Sequence, residues 1–320
     1  MISAPEKLVI GVDVGGTKTA AGIVNGRLEV SDSIENRTVT SSQNGLLDSI
    51  IDAVEKLRRR STGTVAAVGI GFPSMIDQTR GRAVMSVNIP LTDFDIVAYM
   101  RKKLGLPVFI DNDANLAALA ELRAGSAREA GNALMITVGT GIGGGVIIDG
   151  KIYRGSVGSG AELGHIVIDV NGPPCQGACP NNGCFETMAS GTALVRYARE
   201  AAQAQPDSRL GQAVAAGSIP DGALVSKLAA AGDAAAAAVL EKIGFYIGVG
   251  ITGLVNVFNP EVFVLGGGVM QAGDAILKPA LEYLHGRGLR PSRDVVKVVT
   301  ARFGPEAGVL GAACLALDNL

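Results

Sequence analysis

The chain has 320 residues, 48% of them apolar and 18% charged, with a net charge of −2. That length exceeds one typical core and predicts two domains of roughly 100–150 residues each. A near-neutral balance excludes a broad basic field for nucleic acid. No basic segment leads into an apolar helix at the N-terminus, and no apolar run is expected to reach the ~20 residues of a membrane span, so the expectation is a soluble cytoplasmic protein without a membrane partner.

Residues 8–30 read as a strand meander: an apolar run, the turn Val14-Gly15-Gly16-Thr17-Lys18, a second apolar run, then Asn25-Gly26, a pair that favours a type I′ turn. A helix is expected near 44–60, a strand at 65–71, a hairpin near 75–88, a helix near 94–104, a strand at 107–111 and a helix at 114–124 that stops before Gly125. The basic runs Arg58-Arg59-Arg60 and Arg101-Lys102-Lys103 fall at predicted helix ends, where cations complement the dipole.

The opening pattern then returns 124 positions later. Residues 132–153 carry a second meander with Gly139-Thr140-Gly141-Ile142-Gly143-Gly144-Gly145 at its turn and Asp149-Gly150 at its tip. A cysteine-bearing loop follows at 154–187, then an alanine-rich helical region at 190–258 broken by Pro206 and Pro220. The chain closes with a strand at 261–265, the turn Gly266-Gly267-Gly268, a helix near 273–285, a strand at 294–300 and a helix near 305–317. Strands alternating with helices make this an α/β chain with mixed sheets.

Glycine turns between strands are commonly only turns, but two matched copies are harder to dismiss. Neither copy opens a helix after its glycines, which excludes a Rossmann fingerprint and a P-loop. A glycine turn between antiparallel strands points several backbone N–H groups at one spot and suits a phosphate. Two of them imply a polyphosphate gripped from both sides by Gly15, Gly16 and Thr17 and by Gly139, Thr140 and Gly141. The third cluster, Gly266, Gly267 and Gly268, follows a strand and precedes a helix; it is either a plain turn or a bare backbone surface for a nucleoside.

Asp13 ends the first strand beside the first turn, where a carboxylate repels phosphate unless a cation intervenes, so it is a candidate Mg²⁺ ligand. Lys18 is either a point charge for the phosphates or an exposed strand lysine. Asp113 stands where a strand meets a helix; by itself it, or Asn112, reads as an N-cap. His165, Cys175, Cys179 and Cys184 fall within twenty residues, and one nitrogen with three thiolates makes a closed tetrahedral zinc set, a disulfide being the main alternative. Cys314 lies on the apolar face of the last helix as a small hydrophobe.

Five ordered motifs, Asp13 to Lys18, Asn112-Asp113-Ala114-Asn115, Gly139 to Gly145, Glu162-Leu163-Gly164-His165 and the cysteine segment through Glu186, resemble the ROK family of sugar kinases and repressors, most nearly its bacterial glucokinases. The resemblance runs from about residue 8 to the final helix. It implies an actin/hexokinase-like, ribonuclease H-like duplicated fold: a smaller domain of 1–112 plus about 304–320, a larger one of 113–303, and a cleft closing on nucleotide and sugar. It implies ATP with Mg²⁺ as donor, structural Zn²⁺, and a homodimer or homotetramer. Asp113 becomes the general base for the sugar 6-hydroxyl, with Asn88, Asn112, Glu162, His165 and Glu186 holding the other hydroxyls. His165 would serve both metal and sugar through its two ring nitrogens. One departure stands out: Cys175-x3-Cys179 is longer than the family's usual Cys-x-Cys. Glucose is the expected acceptor; N-acetylmannosamine, N-acetylglucosamine, fructose or mannose, a polyphosphate donor, and a non-catalytic sugar-binding protein are the alternatives.

Overall fold

The computed structural model describes residues 7–86, 88–177 and 179–320. The chain divides into two compact units. The first is assembled from three stretches, Met1–Glu129, Gly145–Ala161 and Arg302–Leu320; the second from Ala130–Gly144 and Glu162–Ala301.

The first unit is built on a five-stranded sheet in the order β3-β2-β1-β4-β7. β1 (Leu8–Val14), β2 (Lys18–Val24) and β3 (Val30–Arg37) form the expected antiparallel meander. β4 (Val65–Phe72) and β7 (Val108–Asn112) then add in parallel. Period-two alternation splits β1 between two faces. Ile10, Val12 and Val14 are buried against Leu46, Leu47, Ile50 and Val54 of helix α1 (Gln43–Arg60) and Ile96 and Met100 of α2 (Ile96–Leu104). Val9 joins Ala67, Val309, Leu310 and Ala313 on the other face, beneath the helix α11 (Ala307–Asp318).

That second face owes its closeness to a row of glycines. Gly22, Gly11 and Gly69 lie side by side on β2, β1 and β4. A Cβ on Gly11 would run into the Val309 carbonyl and one on Gly69 into the Ala312 carbonyl, so α11 rests directly on the sheet backbone. α3 (Asp113–Ala124) packs on α11, with Leu116 and Leu119 against Ala312 and Leu315. This is why α3 belongs to the first unit and the division does not fall at residue 112, as the sequence suggested. The hairpin of β5 (Ser74–Asp77) and β6 (Arg82–Ser86) completes the unit.

The two predicted tight turns behave differently. Asp149 and Gly150 both have positive φ, 50° and 70°, and join β9 (Ile142–Ile148) to the short β10 (Lys151–Ile152) as a two-residue hairpin. Asn25-Gly26 does not make the expected type I′ turn. The positive φ falls on Leu28, β3 starts only at Val30, and the Asn25 side chain accepts the N–H groups of Arg27 and Glu29 to close a longer loop.

In the second unit β8 (Ala133–Val138), β11 (Val262–Gly266) and β12 (Lys297–Thr300) run parallel. The alanine-rich region folds as α5 (Gly191–Ala204), α6 (Arg209–Ala215), α7 (Gly222–Ala230) and α8 (Ala234–Phe258), after the short α4 (Phe185–Ala189). Both prolines sit in the breaks, as their missing N–H requires. α8 packs on α9 (Asp274–Arg287) through Gly244 and Gly248, where a Cβ would meet the Ile276 carbonyl and the Tyr283 Cβ at 2.5 and 2.6 Å. The expected strand at 294–300 begins instead with one helical turn, α10 (Ser292–Val295). α8 is long and apolar enough to cross a membrane by length and composition, contrary to the sequence expectation that no segment would be, yet 56% of its most apolar window is buried.

Candidate active site

The carboxyl ends of parallel strands gather polar groups where the chain turns away from the sheet. In the first unit Asp13, Gly71 and Asp111 form one register row across β1, β4 and β7. Gly71 keeps the row open: a Cβ there would stand 3.6 Å from the Asp113 Cα and 3.8 Å from Asp13 Oδ1. Asp13 and Asp113 are therefore near neighbours. Burial, reinforced by the charge of Asp113, pushes Asp13 up to about 7, with Lys18 pulling the other way. Burial likewise raises Asp113, opposed by the Ala114 backbone N–H. Two neighbouring half-buried carboxylates fit a cation, and Asp13 is the group that would hold it.

Asn112 does cap α3, as its residue type suggested: Oδ1 accepts from Ala114 N at 2.9 Å and Asn115 N at 3.2 Å. The cap frees Asp113 from that duty. Its Oδ1 accepts the N–H of its neighbour Ala114 at 2.9 Å.

The first glycine turn closes through Gly15 N–H to the Lys18 carbonyl at 2.9 Å, leaving Gly16 and Thr17 at the tip. Thr38 braces it from below: its hydroxyl donates to the Gly15 carbonyl at 2.7 Å and its N–H to the Thr17 carbonyl at 3.0 Å. Asn88 lies against the turn, 3.2 Å from where a Gly16 Cβ would be. Lys18 is engaged at 2.8 Å with Glu35 on the neighbouring strand, the plainer of its two expected roles.

The second unit carries the matching turn. Gly139 N–H closes onto the Gly141 carbonyl at 2.9 Å, and the Thr192 hydroxyl donates to the Thr140 carbonyl at 2.8 Å. Beneath it Glu186 Oε2 accepts the Ile142 N–H at 2.8 Å and fills the space a Gly141 side chain would need. Beside this turn opens a cavity of about 680 Å³ whose walls include Gly139, Thr140, Thr192, Asp221, Gly222, Gly268 and Gln271. Its size is that of a small-molecule pocket. Of these residues the sequence singled out only Gly139, Thr140 and Gly268; nothing local marks Thr192, Asp221, Gly222 or Gln271, which come together only through packing. Gly267 adopts φ +92° and a Cβ there would run into the Val138 backbone, so the third glycine cluster is a tight turn that also presents Gly268 to the cavity.

His165, Cys175, Cys179 and Cys184 are gathered with their ligand atoms within 4.8 Å of one another. All four cysteines are free. The Cys179 and Cys184 sulfurs stand 3.8 Å apart and Cys175 Sγ lies 3.5 Å from His165 Nδ1. Zn–S bonds of about 2.3 Å and a Zn–N bond of about 2.0 Å would set tetrahedral edges of about 3.8 Å and 3.5 Å. The donor set and its spacing thus fit zinc despite the lengthened first cysteine interval. Val167 bridges Cys184, and the Phe185 N–H donates to Ile166 at 2.8 Å, which ties the Glu162–His165 turn to the start of α4 and so to Glu186. The residues expected at the sugar are accordingly divided, Asn88, Asn112 and Asp113 on the first unit and Glu162, His165 and Glu186 on the second.

Two mixed α/β sheet units with matched glycine turns define a hexokinase-like fold, and solved ROK structures share it: a glucokinase from Streptomyces griseus, in complex with glucose and AMPPNP, superposes with a TM-score of 0.83 at 36% identity over 97% of this chain and 99% of its own. The chain belongs to the ROK family, whose family model matches residues 9–319. Among curated relatives it is similar to a glucokinase from Halalkalibacterium halodurans, 36% identical over 97% of this chain and 95% of the relative. It is similar too to a xylose repressor from Bacillus spizizenii, 28% identical over 97% of this chain and 77% of the relative.

Proposed function

We propose that the protein is an ATP-dependent hexose kinase that phosphorylates the 6-hydroxyl of glucose, with Asp113 as general base. The observation that carries this is the row Asp13–Gly71–Asp111 with Asp113 beside it, below a glycine turn. A phosphate site needs no paired carboxylates; a phosphoryl-transfer site needs one for the metal and one for the acceptor proton. Asp13 takes Mg²⁺, which neutralises charge on the transferring group. The turns at Gly15–Lys18 and Gly139–Gly141 receive the phosphates, and the cavity bordered by Gly268 takes the nucleoside. Asn88, Asn112, Glu162, His165 and Glu186 pair the sugar hydroxyls, each of which would cost about 1–3 kcal/mol if buried unpaired. Zinc on His165 and the three cysteines holds the Glu162–Glu186 loop in shape, and the imidazole's other nitrogen is left for the sugar.

The similarity to repressors supports a second reading, sugar binding without transfer. A coupled ADP-release assay over glucose, mannose, fructose, N-acetylglucosamine and N-acetylmannosamine, with ATP or polyphosphate as donor, separates the two. Turnover is expected with glucose and ATP. Tight hexose binding without turnover on any pair would establish the second reading in its place.

A further inference from the structure

The segment after β10 brings an arginine to the base-bearing junction that the reading above does not use. Arg154 directs Nε and Nη2 at Asp111 Oδ2, at 2.8 and 2.6 Å. Asp111 is 1% exposed. Its second oxygen accepts the Asn112 N–H at 2.8 Å and Asn115 Nδ2 at 3.1 Å. Four hydrogen bonds from three residues therefore saturate one buried carboxylate, and Arg154, which gives two of them, is the one cation among the three. A buried ion pair of this kind is weak evidence for stability, but removing the cation strands an uncompensated charge.

What the pair holds is the more telling fact. Asp111 ends the register row with Asp13, and the two residues it fixes, Asn112 and Asn115, bracket Asp113: Asn112 caps α3 and Asn115 sits in its first turn. A path of hydrogen bonds runs from the Arg154 guanidinium through Asp111 to both sides of Asp113. Arg154 is itself pinned, since its carbonyl accepts Gly160 N–H at 2.9 Å. A Cβ on Gly160 would stand 2.8 Å from the Arg154 carbonyl carbon, so the loop closes this tightly only with glycine there.

We infer that Arg154 is a positioning residue for phosphoryl transfer, holding the β7–α3 junction through Asp111 so that Asp113 keeps the placement a base requires. The inference rests on the assignment of Asp113 as that base. A misplacement of ~1 Å at such a group costs on the order of 10²-fold in rate.

The test uses the full chain with Asp113→Asn, Arg154→Met, Arg154→Lys, Asp111→Asn and the double variant Asp111→Asn/Arg154→Met. Steady-state kinetics are taken with ATP and the best hexose, normalised to the fraction of molecules that bind that hexose by calorimetry. Arg154→Met is expected to lower normalised kcat at least ~10-fold while KM for ATP stays within about twofold, since phosphate-binding groups are untouched. Arg154→Lys, which keeps the charge but not the fork, should recover part of the loss. The double variant should be less impaired than the two single effects combined predict, because no buried charge is left unpaired. If normalised kcat is unchanged in both Arg154 variants while Asp113→Asn is inactive, Arg154 is only structural and the base assignment stands. Should Asp113→Asn turn over normally, the base assignment falls and takes the inference with it. Where Arg154→Met does not fold, Arg154→Lys decides.

Discussion

Asp13 and Asp113 show how a fold can hold charge against its own stability. Burial and mutual repulsion keep Asp13 near 7, whereas in an unfolded chain it ionises near 4. Between those values the folded state binds the extra proton, so this group's contribution to stability is lost as pH rises through about 7. Asp13→Asn, neutral at every pH, should therefore melt higher than the parent at pH 8, by ~2–4 °C for each ~1 kcal/mol, with the gap closing toward pH 4. It should also lose Mg²⁺-dependent turnover. A variant that melts lower than the parent at pH 8 would show that Asp13 is not destabilising when ionised. Asp113→Asn should keep hexose affinity and fold and lose phosphorylation by orders of magnitude; calorimetry beside the ADP-release assay checks both halves, and near-normal turnover would remove Asp113 from the chemistry. At this scale the sequence was informative wherever residue type dictates chemistry. The His165, Cys175, Cys179 and Cys184 cluster could be read because four potential metal-binding side chains in twenty residues have few other uses. Arg154 and Thr38 could not, since their partners Asp111 and Gly15 lie 43 and 23 positions away and an isolated arginine or threonine carries no local mark.

Among the elements, periodicity located nearly every helix and strand, and the misreadings have physical causes. Asn25-Gly26 offers type I′ chemistry, but the asparagine side chain satisfies two backbone N–H groups and stabilises a longer loop instead. Nothing in the local sequence marks the glycines of β1 and β4; their purpose appears only once α11 lies across them. Gly69→Val would drive a side chain into the Ala312 carbonyl, and a loss of more than ~3 kcal/mol is expected from forced separation of helix and sheet, measurable by denaturant unfolding. A change under ~1 kcal/mol would mean that α11 does not seat on this row. The loop from Glu162 to Glu186 yields a separate expectation. Stripping metal with a chelator should weaken hexose binding while the cavity beside Gly139 and Gly268 still takes nucleotide, because that cavity shares no cluster ligand. Purified protein with no bound zinc would end the proposal.

For the whole molecule, the duplicated meander was visible as a repeat and the family resemblance already placed the final helix with the first domain, but the membership of α3 and of residues 145–161 was not visible. Each unit owns one glycine turn, yet the first unit recruits α3 and takes α11 from residues beyond 301. Local patterns cannot reveal such a pairing, because it depends on small-residue faces meeting across nearly two hundred positions. Removing Arg302–Leu320 should leave the first unit unable to close its core, seen as lost protection of β1, β4 and α3 in hydrogen exchange, while β8, β11 and α8 in the second unit stay protected. Equal loss in both units would show that they fold only together.

The placement of α11 also sets an order of events during synthesis. At ~5–20 residues per second, β1 waits tens of seconds on the ribosome for the helix that covers its glycines. Throughout that interval the strand bearing Asp13 has one bare face, and a chain released before residue 302 lacks the helix that completes the first unit. A product of that kind is expected to carry an uncovered β-sheet face, the sort of surface on which aggregation and proteolysis act.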